Sequence, residues 1–370
     1  MPTRGSVVSK RSMRVDASGI RRVFDLAAKL KDPINLSIGQ PDFDVPDPAK
    51  LAAIDAIRAG QNRYTLTQGI PELRTRLRAQ LTRQLDRDPG EVLITSGVSG
   101  GLLLAMLAVV DPGDEVIWLD PFFVMYPHLM TMCGGVGVPV SSSPDFRFNV
   151  AAVEAAITPR TKAILLNSPA NPTGTVLSEQ DIRAAVELAR KHDLLIISDE
   201  IYDAFVYDQP FVSPARFYEK TLVLKGFSKT HAMTGWRLGY AAGPADLIDA
   251  MTRLQQYTYV CAPSALQHGA LAALDLDMSA AIADYHRKRD IVLEMLGDKF
   301  EIVRPGGAFY AFPKVPPSTT GSAFVEKAIA NNVLIIPGKV FSAADTHFRL
   351  SFATTDEKLR RGCEILRSLA

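Results

Sequence analysis

Between about Pro48 and Arg190 the chain alternates helical periods with short Leu-rich or β-branched runs, and this alternation restricts the architecture more than any other feature. Parallel strands need a crossover long enough to hold a helix, so the pattern predicts an α/β fold with a mostly parallel sheet covered by helices. Residues 92–95, 115–119, 162–167, 194–198 and 222–225 read as strands, and residues 51–59, 71–84, 99–110 and 179–192 as helices. Ser178 with Asp181 three positions on marks the start of the last helix, a capping box with Asp in place of Glu or Gln. After Gly243 long helical stretches follow, 245–257 and 280–296, then a strand-and-helix tail containing residues 305–310 and 348–353. The change predicts three parts: an N-terminal arm that also contributes to a small domain (1–45), a large domain (46–275) and a smaller α+β C-terminal domain (276–370).

At 370 residues and 47% hydrophobic content the chain can bury a large core. Its 41 basic and 40 acidic side chains leave a net charge of +1, which offers no footprint for nucleic acid or an anionic membrane. The longest apolar stretch, 102–110, is too short to span a bilayer and reads as a buried helix. Cys133, Cys261 and Cys363 are odd in number and widely spaced, and the six histidines show no ligand spacing, so neither a disulfide framework nor a metal is expected. A reducing cytoplasm and small-molecule chemistry fit this composition.

Ligands of open α/β sheets bind beyond the carboxyl ends of the strands, where four segments carry chemistry. Lys229 follows the strand 222–225, and a lysine held in a partly desolvated, positively charged site loses its proton and can form a Schiff base with an aldehyde. Asp199 follows 194–198 and can keep a pyridine nitrogen protonated; alone, it reads equally as a helix cap. Asn171 and Tyr202 can donate to a phenolate oxygen on the same ring, although Asn-Pro-Thr-Gly by itself is only a good turn. Gly97, Val98 and Ser99 open a helix whose free N–H groups, with the Ser99 hydroxyl, form a phosphate cup to which Arg237 adds charge. Phe123 can stack on the ring, or simply pack in the core.

Together these residues resemble the class I/II aminotransferases, enzymes of fold type I dependent on pyridoxal 5′-phosphate (PLP). The resemblance runs over nearly the whole chain, through Gly39-Gln-Pro-Asp-Phe-Asp44, Asn62-Arg-Tyr-Thr65, Gly69-Ile-Pro-Glu-Leu73, Asp111-Pro-Gly-Asp-Glu115, Asn167-Ser-Pro-Ala-Asn-Pro-Thr-Gly174, Ser198-Asp-Glu-Ile-Tyr202, Ser228-Lys229, Thr234-Gly-Trp-Arg237 and residues 348–353. It implies that Lys229 carries the cofactor and then moves a proton, with Asp199 and Tyr202 as its catalytic companions. Gly97, Val98, Ser99, Phe123, Asn171, Ser228 and Arg237 would bind PLP. Arg349 would grip the substrate carboxylate, with Gly39 and Asn171 nearby and Ile20 at the pocket mouth. Tyr64 would reach the phosphate of a neighbouring subunit, which implies a homodimer with shared active sites.

The resemblance further implies transfer of an amino group from an L-amino acid to a 2-oxo acid, 2-oxoglutarate being the expected acceptor, in a ping-pong cycle through pyridoxamine phosphate. Gly226 stands where many relatives have a serine, which predicts one phosphate hydroxyl fewer. Leu107, aligned near a distal-carboxylate position, argues against a strict aspartate preference, and Ile20, Phe123 and Tyr310 favour apolar or aromatic donors. A PLP-dependent carbon–sulfur or other β/γ-lyase is the alternative on the same scaffold; Ala170 before Asn171-Pro172, where such lyases often have His, favours transamination. A PLP-binding transcription regulator would carry an added DNA-binding domain, and the roughly 45 residues before the core show no helix-turn-helix pattern, so that reading is not expected; nor is a nicotinamide dehydrogenase, since no G-x-G-x-x-G opens a first βα turn.

Overall fold

Seven strands form the central sheet: β1 (Glu91–Ser96), β2 (Glu115–Asp120), β3 (Val136–Ser141), β4 (Thr161–Asn167), β5 (Leu195–Asp199), β6 (Thr221–Gly226) and β7 (Leu238–Gly243). The computed structural model describes residues 7–16, 19 and 30–370. Spatial order is β1-β7-β6-β5-β4-β2-β3, and β7 alone runs against the others, antiparallel to both β1 and β6. β1, β4, β5 and β6 are buried over their central residues because helices cover both faces, which is why those residues read as apolar runs. The edge strand β3, with a proline inside it, is mostly unburied.

Helix α1 (Gly97–Val109) follows β1 directly and buries residues on every side, as an apolar helix without a polar face must. The helix Glu179–Lys191 buries Ile182, Ala185, Val186 and Ala189 and carries the expected capping box between Ser178 and Asp181. All five predicted strands and the predicted helices are present, with ends shifted by a few residues. The strands β3 and β7 and the helices α2 (Met125–Cys133), Val150–Ala156 and Ser264–Ala273 were not expected from the pattern. Among the described residues no helix is long and apolar enough to cross a membrane.

The C-terminal part holds a three-stranded antiparallel sheet, Ile336–Pro337, Phe348–Ser351 and Tyr310–Ala311, backed by α3 (Ser279–Leu296), Gly321–Ala330 and Asp356–Ser368. The strand Ile34–Asn35 pairs in parallel with Val333–Leu334, so the chain enters this part before it builds the large sheet. Segment 305–310 then returns to the large sheet. Val206 bridges to Gly307, and Gly307 N donates to Gly174 O at 2.9 Å. This contact brings Tyr310 beside the turn that carries Asn171.

Candidate active site

Because β7 is reversed, its first residue lies at the same sheet edge as the last residues of β1, β4, β5 and β6. Register pairs Ser96 with Leu238, Asn167 with Asp199 and Gly226 with Gly239. A cavity of about 270 Å3 opens there. Gly39, Val98, Ser99, Phe123, Asn171, Asp199, Tyr202, Ser228, Lys229, Arg237 and Arg349 all line it. Gly97 lies beside it against the Arg237 guanidinium. Tyr64 is 82% exposed and apart from the lining in a single chain. Ile20 lies outside the described residues.

Lys229 is half-buried, and its Nζ donates to Gly39 O at 2.6 Å. Desolvation first, then the charges of Arg349 and Arg237, bring its ammonium down to about 8, while Asp199 opposes the shift. An amine in this state is available as a nucleophile near neutral pH. Asp199 is 2% exposed. Burial pushes its carboxyl up to about 6, against the Tyr126 hydroxyl, which donates to Oδ2 at 2.9 Å, and a longer bond from Ile201 N to Oδ1. A buried carboxylate with one strong donor still gains from a cationic partner.

Arg349, 1% exposed, sits at the opposite end. Its Nη1 donates to Asn171 Oδ1 at 2.9 Å and its Nη2 to Ser37 O at 2.7 Å, and its guanidinium lies 4.6 Å from the Tyr310 ring centroid. Since Arg349 orients the Asn171 amide oxygen towards itself, the amide nitrogen is left to face a ligand as a donor. Tyr202 and Tyr310 share a 2.8 Å hydroxyl–hydroxyl bond, so Tyr202 can accept from one side and donate to the other.

The residues present fit a phosphorylated pyridine aldehyde. Ser96, at the N-cap of α1, makes no side-chain capping bond, so the first-turn N–H groups stay available to an anion. Gly97 has φ +67°, and a Cβ there would collide with the Arg237 guanidinium, so only glycine lets the cup close. Arg237 itself has φ +55°, the sort of local backbone strain found at ligand sites. The amine, the carboxylate and the anion cup thus stand at separate points around one cavity.

One sequence expectation changes. Leu107 is 40% exposed and absent from the lining, so it says nothing about a distal carboxylate. Gly226, expected to leave the phosphate one hydroxyl fewer, is absent from the lining; a Cβ there would lie 3.2 Å from both Gly239 Cα and Leu238 O, so the glycine also serves close strand packing. Sequence reasoning missed Tyr126 and Asn167. Asn167 donates from Nδ2 to Asp199 O at 3.0 Å and accepts from Asn171 N at 2.9 Å, tying β5 to the Asn171 turn. Tyr126, three positions beyond Phe123, carried a signal only in that helical spacing.

Residues 31–366 match the family model described as aminotransferase class I and II. A probable aspartate aminotransferase of Methanocaldococcus jannaschii is 36% identical, covering 98% of this chain and all of that one. Aromatic-amino-acid aminotransferase 2 of Thermococcus litoralis is 36% identical over 96% of both chains. Among solved structures, a double mutant of Thermus thermophilus aspartate aminotransferase superposes with a TM-score of 0.94 at 37% identity, over 99% of this chain and all of that one.

Proposed function

The chain belongs to the class I and II aminotransferases, PLP-dependent enzymes that move an amino group from an amino acid to a 2-oxo acid, and we propose that the cavity at the strand ends is where it does so. When bound, the cofactor supplies an electron-accepting ring that acidifies the α-hydrogen of the amino acid. Lys229 Nζ, brought down to about 8, would serve as the base that takes the proton from the substrate α-carbon and as the acid that gives it back. Asp199 would pair with the ring nitrogen and keep it protonated, and Tyr126 holds Asp199 in place. Tyr202 and the Asn171 amide nitrogen would donate to the ring oxygen. Phe123 would cover the ring. The start of α1, Ser99, Ser228 and Arg237 would bind the phosphate. Arg349 turns its planar fork to the substrate carboxylate, with Gly39 beside it, fixing which α-carbon bond faces Lys229.

The observation that carries this assignment is that one cavity brings together a lysine held at about 8, a buried carboxylate and a buried arginine from three distant parts of the chain. Residues 46–275 would hold the cofactor, and 276–370 with 1–45 would form the smaller domain. The exposed Tyr64, with Leu66 59% and Tyr257 90% exposed, supports a homodimer in which Tyr64 reaches the other subunit's phosphate. The three free cysteines agree with a cytoplasmic setting. The named relatives are aminotransferases, so the lyase alternative is not favoured.

The relatives' names divide between aspartate and aromatic donors. Leu102, Phe123, Ile201 and Tyr310 in the lining favour an aromatic or apolar donor side chain, with 2-oxoglutarate as acceptor. A donor panel in which aspartate alone reacted would overturn that preference. The reaction is tested by the absorption spectrum of the PLP-loaded protein before and after adding amino acids without oxo acid. A band near ~420 nm that gives way to one near ~330 nm supports transamination; ammonia release with a persistent band would refute it.

A further inference from the structure

We propose that Asp42 and Lys288 are a positioning pair for the substrate carboxylate, because together they clamp the strap 37–42 that separates Lys229 from Arg349. This rests on the assignment of Arg349 as the carboxylate grip. The strap touches both working cations: Ser37 O accepts from Arg349 Nη2 at 2.7 Å, and Gly39 O accepts from Lys229 Nζ at 2.6 Å. The Tyr310 hydroxyl lies against Gly39 Cα, where a Cβ would collide. Moving this strap therefore changes where the carboxylate is held relative to the amine that handles the neighbouring α-proton.

The two ends of the strap are fixed differently. At the N-terminal end the bonds are a sheet contact and a local turn: Ser351 N donates to Leu36 O at 2.7 Å, while Asn35 Oδ1 accepts from Ser37 N and Oγ. At the C-terminal end side chains do it. Asp42 Oδ2 accepts from Lys288 Nζ at 2.6 Å, Oδ1 accepts from the Tyr285 hydroxyl at 2.7 Å, and Asp42 N donates to that hydroxyl oxygen at 3.1 Å. Lys288 and Tyr285 both project from α3, so the smaller, C-terminal part of the molecule holds the strap. Lys288 is 4% exposed and also bridges Asp284 at 2.8 Å, whereas the Asp42 side chain is 23% exposed. The clamp therefore acts through geometry: three hydrogen bonds tie Asp42 to α3, and removing its carboxylate takes away two of them, three residues from Gly39, while Lys288 keeps Asp284.

The test uses PLP-loaded full-length protein and the variants Asp42→Ala, Asp42→Asn and Lys288→Met. The measurements are kcat, KM for the best donor and for 2-oxoglutarate, the melting temperature, and the Kd of the donor's 2-methyl analogue, which has no α-hydrogen to lose. Misplacement of about 1 Å can cost roughly a hundredfold, so a strap loosened at one end is expected to raise both KM values and the Kd by about tenfold. In the same variants kcat falls as well, by up to roughly a hundredfold, because the α-proton is presented less well to Lys229, and Asp42→Asn, which keeps the Tyr285 bond, falls between wild type and Asp42→Ala. Unchanged Kd and KM in folded, cofactor-loaded Asp42→Ala would overturn the proposal, as would a loss of melting temperature and kcat without a change in Kd. If Asp42→Ala fails to fold, Lys288→Met decides by the same criteria. Arg349→Ala separates the two levels: unchanged KM there removes the carboxylate assignment itself, whereas a raised KM there with normal Asp42 variants removes the clamp alone.

Discussion

Replacing Tyr126 with Phe deletes one hydroxyl and leaves the ring in its contacts with Trp118 at 6.0 Å and Phe123 at 5.8 Å. The deleted group is the strongest donor to Asp199, at 2.9 Å in a fully buried setting. A hydrogen bond to a charged group is worth about 1.5–3 kcal/mol, which is roughly a tenfold to hundredfold change in an equilibrium or a rate. The sign follows from what Tyr126 opposes. Burial already holds the Asp199 carboxyl at about 6, and Tyr126 is the largest influence keeping it from going higher. Without the hydroxyl the carboxyl protonates at higher pH and stops supporting the ring nitrogen. We expect kcat/KM at pH 7 to fall about tenfold to a hundredfold, the acidic limb of the pH–rate profile to move upward, and activity to recover in part near pH 9. The assay is steady-state transamination over pH 5–10 with the best donor. An unmoved acidic limb, with kcat/KM within about twofold of wild type, would show that Asp199 does not depend on Tyr126.

Lys229→Ala should abolish turnover while leaving the melting curve of cofactor-free protein intact, since among the described residues its ammonium makes one hydrogen bond, to the Gly39 carbonyl, and a 5.8 Å contact with the Tyr202 ring; measurable transamination above background would remove Lys229 from the mechanism. In cofactor-free protein the second-order rate of PLP loading should rise about tenfold per pH unit and level off above about 8, because the lowered Lys229 ammonium must lose its proton to react. A rise continuing past pH 10 would mean that Lys229 is not perturbed. Gly97→Ala should weaken PLP affinity by at least about tenfold, combining a left-handed backbone penalty of about 1–2 kcal/mol with displacement of Arg237; equilibrium dialysis against PLP checks it, and wild-type affinity would exclude the cup.

Much of this architecture was legible in sequence because a strand buried on both faces must be apolar throughout. β1, β4, β5 and β6 meet that condition. β7 was not legible: Leu-Gly-Tyr-Ala-Ala-Gly contains no β-branched residue. Its small residues are required by position, since a Cβ at Gly239 would stand 2.7 Å from the Gly97 carbonyl carbon and Val98 N, at the mouth of the anion cup. β3 was hidden by its proline and its edge location. Lys229, Asp199 and Asn171 could be singled out because each follows a strand end, whereas Arg349, inside the strand Phe348–Ser351, was singled out only by the family resemblance. Tyr126 could not be assigned, because its partner lies 73 positions away and a tyrosine on an apolar helix face gives no hint of a carboxylate. Tyr64 stands in solvent in one chain, so the role proposed for it depends on a second.

The reversed strand has an evolutionary consequence. β6 ends and β7 begins as an antiparallel pair closed at Gly226 and Gly239, so Lys229 and Arg237 sit on a single loop anchored at both ends. That loop acts as a ruler. Each inserted or deleted residue would shift one group against the other by about 3.3–3.8 Å, most of the width of a six-membered ring. Connections elsewhere on the surface can lengthen freely as a lineage drifts. This one can change its side chains but not its count, so gaps in any future alignment should avoid residues 227–238 even where identity there is lost.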